Sequence, residues 1–110
     1  MASVHYLLDV YGVSPRLLDD ELFLRDLLEN SAIACGAEVL DTTSHKFEPQ
    51  GVTALCLLSE SHISVHTWPE KGEAAFDIFT CGESEPKIAV DIILEQLHPT
   101  SNNTTCVQRL

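Results

Sequence analysis

The stretch HISVHTWPEKGEAAFDIFTC, residues 62–81, reads as two strands, HISVHTW and EAAFDIFTC, joined by the turn-forming PEKG. Upstream, AEVLDTTSHKF (37–47) and GVTALCLLS (51–59) are further strand candidates, with the turn-prone EPQG between them. HYLLDVYG (5–12) is a first strand ended by Gly12, rich in Tyr, Val and Leu. SPRLLDDELFLRDLLENSAIACG (14–36) carries helix signals: Ser14 as cap, Pro15 at the first helical position and Gly36 as the stop. Leu22, Arg25, Leu27, Leu28 and Ala32 supply its helical spacing, and LDD is expected to split it into a short turn and a longer helix. KIAVDIILEQLH (87–98) is an amphipathic helix begun near Pro86, and NNTTCVQRL (102–110) is a short last strand or a loose tail.

This order predicts an α+β fold: a two-layer α/β sandwich, its sheet mainly antiparallel, with two helices on one face. At 110 residues the chain is expected to be one domain, 1–110, with a single core. Nothing in the element list covers the second face of the sheet, which predicts a homodimer.

Composition narrows the partners. A formal charge of −11 argues against nucleic acid, whose phosphates need clustered Lys and Arg, and favours cationic small molecules. Acidity that only keeps the chain soluble is the plainer reading of the same number. No apolar run approaches the ~18–20 residues of a membrane span and no signal peptide is evident, so a cytoplasmic protein without membrane contact is expected. The four cysteines form no CxxC pair and no disulfide framework is expected; Cys35 and Cys56 read as core residues, while Cys81 ends a strand just before Gly82.

In a regular strand His62, Ser64 and His66 share one face, and Ile63 and Val65 the other. Three chemistries suit this polar face. Zinc on His62, His66 and Cys81 lacks a fourth ligand and a recognised spacing, so no metal is expected. A Cys81–His66 nucleophile pair lacks a local signature. The third uses the Glu60–Ser61 peptide bond: the Ser hydroxyl attacks the preceding carbonyl, a base takes the Ser α-proton, and elimination cuts the chain. The new N-terminus becomes a pyruvoyl group, an electron sink able to form a Schiff base with a substrate amine.

SESHISVHTWPEKGEAAFDIFTCG (59–82) resembles the signature of the prokaryotic pyruvoyl-dependent S-adenosylmethionine decarboxylase proenzymes. The resemblance extends upstream through HKFEPQGVT, GAEVL, and His5, Leu7 and Tyr11. It implies self-cleavage between Glu60 and Ser61, with Ser61 the precursor of a covalently bound pyruvoyl cofactor. It further implies His66 as the processing base, Thr53 as its support, and Cys81 as the donor that returns a proton to the substrate after CO2 loss. Phe47 is expected to stack on adenine, Glu70 to bind the ribose hydroxyls, and Glu60 to lie beside the substrate. The implied activity is decarboxylation of S-adenosylmethionine for spermidine synthesis. Arginine or ornithine decarboxylation is the alternative, and an unprocessed regulatory homologue the non-enzymatic one.

The chain departs from the family pattern at Thr53, where a Ser is usual, at Ser3-Val4 in place of Gly-Arg, and at Glu73 in place of Tyr. Glu73 is either a solvated hairpin charge or a sign of altered substrate choice. His62 and Ser64 are expected to be supporting, and His98 to end a helix against its dipole. Ser61 has the parity of Ile63 and Val65, so His66 reaches it only if the backbone at Glu60–Ser61 leaves regular strand geometry.

Overall fold

A computed structural model describes residues 3–110; Met1 and Ala2, the start of the expected domain, lie outside the described residues. The elements are β1 (Ser3–Tyr11), α1 (Pro15–Leu18), α2 (Glu21–Ala34), β2 (Val39–Lys46), β3 (Val52–Leu58), β4 (His62–Trp68), β5 (Glu73–Cys81), α3 (Pro86–Leu97) and β6 (Ser101–Gln108). They form one six-stranded sheet in the order β2-β3-β4-β5-β1-β6, with every neighbouring pair antiparallel. The α+β sandwich expected from the sequence is therefore present, with the short α1 added to its two main helices.

Alternation decides which face is buried. Ala54 pairs with Val65, Val65 with Phe76, and Phe76 with Leu8, so these four share a face. With Cys56, Ile63 and Ile78 they lie fully or almost fully buried beneath α2 and α3. Burial pushes the thiols of Cys35 and Cys56 up, as befits the core residues the sequence suggested. At the β2 edge the contact with α2 is polar: Arg25 donates to Ser44 Oγ at 2.8 Å and to the Thr42 carbonyl at 3.0 Å. Among the described residues no helix packs on the opposite face, and Leu7, Leu57, Trp68 and Val107 on it are each 38–44% exposed.

One local expectation needs correction. Ser14 precedes α1 but makes no side-chain capping bond; the cap that forms is Asp20, whose carboxylate accepts from Phe23 N–H at 3.0 Å and opens α2. Leu22 is 74% exposed, because the face of α2 that packs inward runs through Leu24, Leu27, Leu28 and Ala32. Of the two readings of the segment after Asn102, the strand is the one present: β6 pairs with β1 from Val4–Gln108 to Tyr11–Ser101.

The hairpin between β4 and β5 is longer than a tight turn, holding a short 3-10 turn over Pro69–Lys71. Gly72 closes it at φ +67°, where an added Cβ would stand 3.2 Å from the Val13 carbonyl oxygen. His98 caps α3 at φ 48°, a helix-end position as expected.

Candidate active site

Leu58 ends β3 and His62 begins β4, so Ser59, Glu60 and Ser61 form the turn between them. Leu58 N–H donates to the Ser61 carbonyl at 2.9 Å, and Ser59 N–H to the Glu38 carbonyl at 3.1 Å, which tethers the turn to the chain before β2. Glu60 is exposed and Ser61 partly so. The Glu60–Ser61 bond thus leaves regular strand geometry, as a mechanism at this peptide demands.

Cys81, the last residue of β5, lies beside the turn. Its thiol donates to the Glu60 carbonyl oxygen at 3.6 Å, the atom of the candidate scissile bond, and its sulfur accepts from Ser3 Oγ at 3.3 Å. Ser84 Oγ holds the Cys81 carbonyl at 3.1 Å. A cavity of about 180 Å³ opens here, lined among others by Glu38, Glu60, Ser61, Cys81 and Glu83. Three carboxylates and no Lys or Arg line it, a setting that favours a cation.

The remaining candidates gather at the other end of the sheet. Thr53 faces His66 across β3–β4, and Thr53 Oγ1 lies 2.9 Å from His66 Nδ1. Phe47 starts the adjacent β2–β3 turn, 45% exposed, with its N–H donating to the Gly51 carbonyl at 2.8 Å. Its ring meets His45 edge-on at 4.5 Å. Glu70 is exposed in the turn that follows β4, and Glu73 stands opposite Trp68 at the same end.

The candidates therefore form two half-sets, Glu60–Ser61–Cys81 at one end of β4 and Phe47–Thr53–His66–Glu70 at the other. β4 begins at His62, and four steps of ~3.3 Å carry His66 about 13 Å further along it, away from Ser61 in the preceding turn. Within one chain the irregular backbone at Ser61 therefore lies at the opposite end of β4 from the Thr53–His66 pair. The same separation parts Cys81 from His66, and with it both the His62–His66–Cys81 metal set and the Cys–His nucleophile pair. Among the described residues no three His, Cys, Asp or Glu side chains are placed to hold a metal ion. His62 lies on the open face with its ring 6.0 Å from Phe79, and Ser64 is buried between Leu55 and Asp77 in the strand register.

Two contacts escaped the sequence reading. Ser3 stands directly opposite Cys81 in the β1–β5 register. Arg109 lies over the Phe79 ring at 5.3 Å, near His5, whose Nε2 is 2.9 Å from Asp77 Oδ1. Both depend on pairings between the two ends of the chain, for which no local pattern exists. Among the described residues no helix is long and apolar enough to cross a membrane.

The family model described as S-adenosylmethionine decarboxylase matches residues 4–110. An S-adenosylmethionine decarboxylase proenzyme of Parasynechococcus marenigrum is 49% identical over 98 residues, spanning 88% of this chain and 77% of its own. One of Caldanaerobacter subterraneus subsp. tengcongensis is 45% identical over 106 residues, 96% of this chain and 86% of its own. The crystal structure of the adenosylmethionine decarboxylase from Aquifex aeolicus superposes with a TM-score of 0.92 at 37% identity, covering 98% of this chain and 90% of that one. A match across nearly the whole chain, in sequence and in fold, means that this protein belongs to the S-adenosylmethionine decarboxylase family.

Proposed function

We propose that this chain is the proenzyme of a pyruvoyl-dependent S-adenosylmethionine decarboxylase, which cuts itself between Glu60 and Ser61 and supplies the aminopropyl donor for spermidine synthesis. The observation that carries the reading is the Cys81 thiol 3.6 Å from the Glu60 carbonyl oxygen, at a turn that frees Ser61 from the strand. A donor on that oxygen polarises the carbonyl for attack by Ser61 Oγ and stabilises the oxyanion that follows. Collapse moves the Glu60 acyl group from nitrogen to oxygen. A base then removes the Ser61 α-proton, the Glu60 carboxylate leaves, and water displaces the nitrogen as ammonia.

Ser61 and its surroundings fit the pyruvoyl group: the residue lines a cavity together with the Cys81 thiol, and no Lys or Arg is among the lining residues. Once formed, that group supplies the electron sink for loss of CO2 from an amino acid. Cys81 holds the proton that goes to the substrate α-carbon, and Glu38, Glu60 and Glu83 suit a sulfonium substrate. At about 180 Å³ the cavity is below the roughly 300–1,000 Å³ of ligand sites, so it takes the reacting end alone. Adenine and ribose then fall to Phe47 and Glu70, and the processing base is His66, aligned by Thr53.

These four lie too far from Ser61 in their own chain, so the site is completed by a second copy docked on the open face of the sheet. The exposed Leu7, Leu57, Trp68 and Val107 support a homodimer of this kind. Four free cysteines fit a reducing, cytoplasmic setting.

Intact mass of the purified protein is expected to show two fragments, 1–60 and 61–110, and CO2 release is expected from S-adenosylmethionine. An uncut chain defeats the enzyme reading, and preferential release from arginine or ornithine defeats the substrate assignment.

A further inference from the structure

We infer that Ser3 is a positioning residue for Cys81: its hydroxyl orients the thiol and stabilises the thiolate left when the proton is given up. The inference deepens the proposed decarboxylase reading, and it starts from geometry in the uncut chain. Ser3 and Cys81 are direct partners across β1 and β5, and Ser3 Oγ donates to Cys81 Sγ at 3.3 Å. Ser3 is only 6% exposed, so water competes little for that hydroxyl. Its backbone is fixed from the other side as well: the Ser3 carbonyl accepts from Arg109 N–H at 2.8 Å.

The bond has two consequences. With its lone pair engaged by Ser3, the sulfur turns its own hydrogen toward the Glu60 carbonyl, 3.6 Å away. The second concerns charge. Glu38, Glu60 and Glu83 line the same cavity as Cys81, and no Lys or Arg is among its lining residues. Ser59, Ser61 and Ser84 line the same cavity, and Ser84 bonds the Cys81 carbonyl rather than its sulfur. Ser3 is the neutral donor aimed at the sulfur itself. A hydrogen bond to an ionised group is stronger than one to a neutral group, so its help grows as the proton leaves. Ser3 is also one of the positions where this chain departs from the family pattern, in which Gly is common and no hydroxyl is available.

The test uses Ser3→Ala and Ser3→Thr, each made both in the otherwise native chain and with Ser61→Ala, which keeps the chain uncut. In the uncut pair, alkylation of Cys81 by iodoacetamide is followed by peptide mass across a range of pH. Ser3→Ala is expected to slow it roughly three- to tenfold and to move its rise to higher pH, while Ser3→Thr, which keeps the hydroxyl, stays near the parent. In the native background Ser3→Ala is expected to slow self-cleavage and lower kcat by a similar factor with little change in KM. Equal alkylation profiles in the Ala and Thr variants and the parent overturn the inference. So do Ala and Thr variants that are equally impaired, which would assign the effect to backbone packing rather than the hydroxyl. An uncut parent chain whose Cys81 still responds to Ser3 defeats the decarboxylase reading alone and leaves the Ser3–Cys81 coupling standing.

Discussion

Mixing two inactive variants tests where the processing base comes from. Ser61→Ala removes the bond that is cut, and His66→Ala removes the base. Each variant alone is expected to remain uncut or nearly so. In one chain Ser61 lies in the turn before β4 while His66 stands about 13 Å along the strand from its first residue, so on the proposed reading a base acting on Ser61 comes from the second copy. A mixed dimer then holds one complete set, Ser61 from the His66→Ala chain and His66 from the Ser61→Ala chain, and one set lacking both. With equal amounts and random pairing, about half the His66→Ala chains sit beside a Ser61→Ala chain, and about half are expected to be cut. The complete sets make up about a quarter of all sites, so decarboxylation should return to about a quarter of the native level. The assay is co-expression with two distinguishable affinity tags, intact mass for each chain, and CO2 release from the mixture. His66→Ala chains that stay whole in the mixed dimer refute the argument. So does His66→Ala cutting itself at the native rate.

Other expectations concern the scaffold. Phe76, 1% exposed between Val65 and Leu8 in the register, is expected to cost about 3–5 kcal/mol when replaced by Ala, read from the urea midpoint. Asp20→Ala, which removes the α2 cap, is expected to cost about 1 kcal/mol in the same assay. Asp19 accepts from Gly51 N–H at 2.8 Å and pairs with Lys46 at 3.0 Å, and these partners, the Gly51 bond first, hold its carboxyl below the ordinary 3.8. A lowered folded-state pKa gives stability that is present above that ordinary value and is lost as pH falls through the folded value. Asp19→Asn is therefore expected to flatten the acid limb of stability below about pH 4, measured by urea midpoints across that range.

Much of the fold was legible because the signals are local. EAAFDIFTC and GVTALCLLS carry their strand character within themselves, and Gly36 and Pro86 mark helix ends where α2 stops and α3 starts. The misassigned cap shows the limit: Ser14 and Asp20 are both good capping residues, and only the placement of Phe23 N–H separates them. At the site, parity called for an irregular backbone at Glu60–Ser61 on the premise that His66 reaches Ser61; the turn is there, but it separates the two within one chain. The distance from Ser61 to His66 was not legible: five positions look close in sequence, but an extended strand converts them into most of the sheet's length. Ser3 and Arg109 were beyond reach altogether, because β1, β5 and β6 meet only through pairings that span the whole chain.

The division of the site has a geometric logic. The two half-sets occupy opposite ends of β4 and its neighbours, with Ser64 near the middle of the strand. A second copy docked face to face can exchange those ends only if its strands run the other way. That places a two-fold axis in the interface plane, across the strands and close to the level of Ser64. The same act covers Leu7, Leu57, Trp68 and Val107, which no element of their own chain shields. Burial of that face and completion of the site are therefore one requirement, because any pairing that slides along the strands to improve the apolar contact pulls His66 away from Ser61. On the proposed reading, the Glu60–Ser61 bond is then safe in an isolated chain, where the Cys81 thiol faces the Glu60 carbonyl and His66 lies toward the other end of the strand. Cleavage would wait for the partner, and the cofactor would be made only in the assembly that can use it.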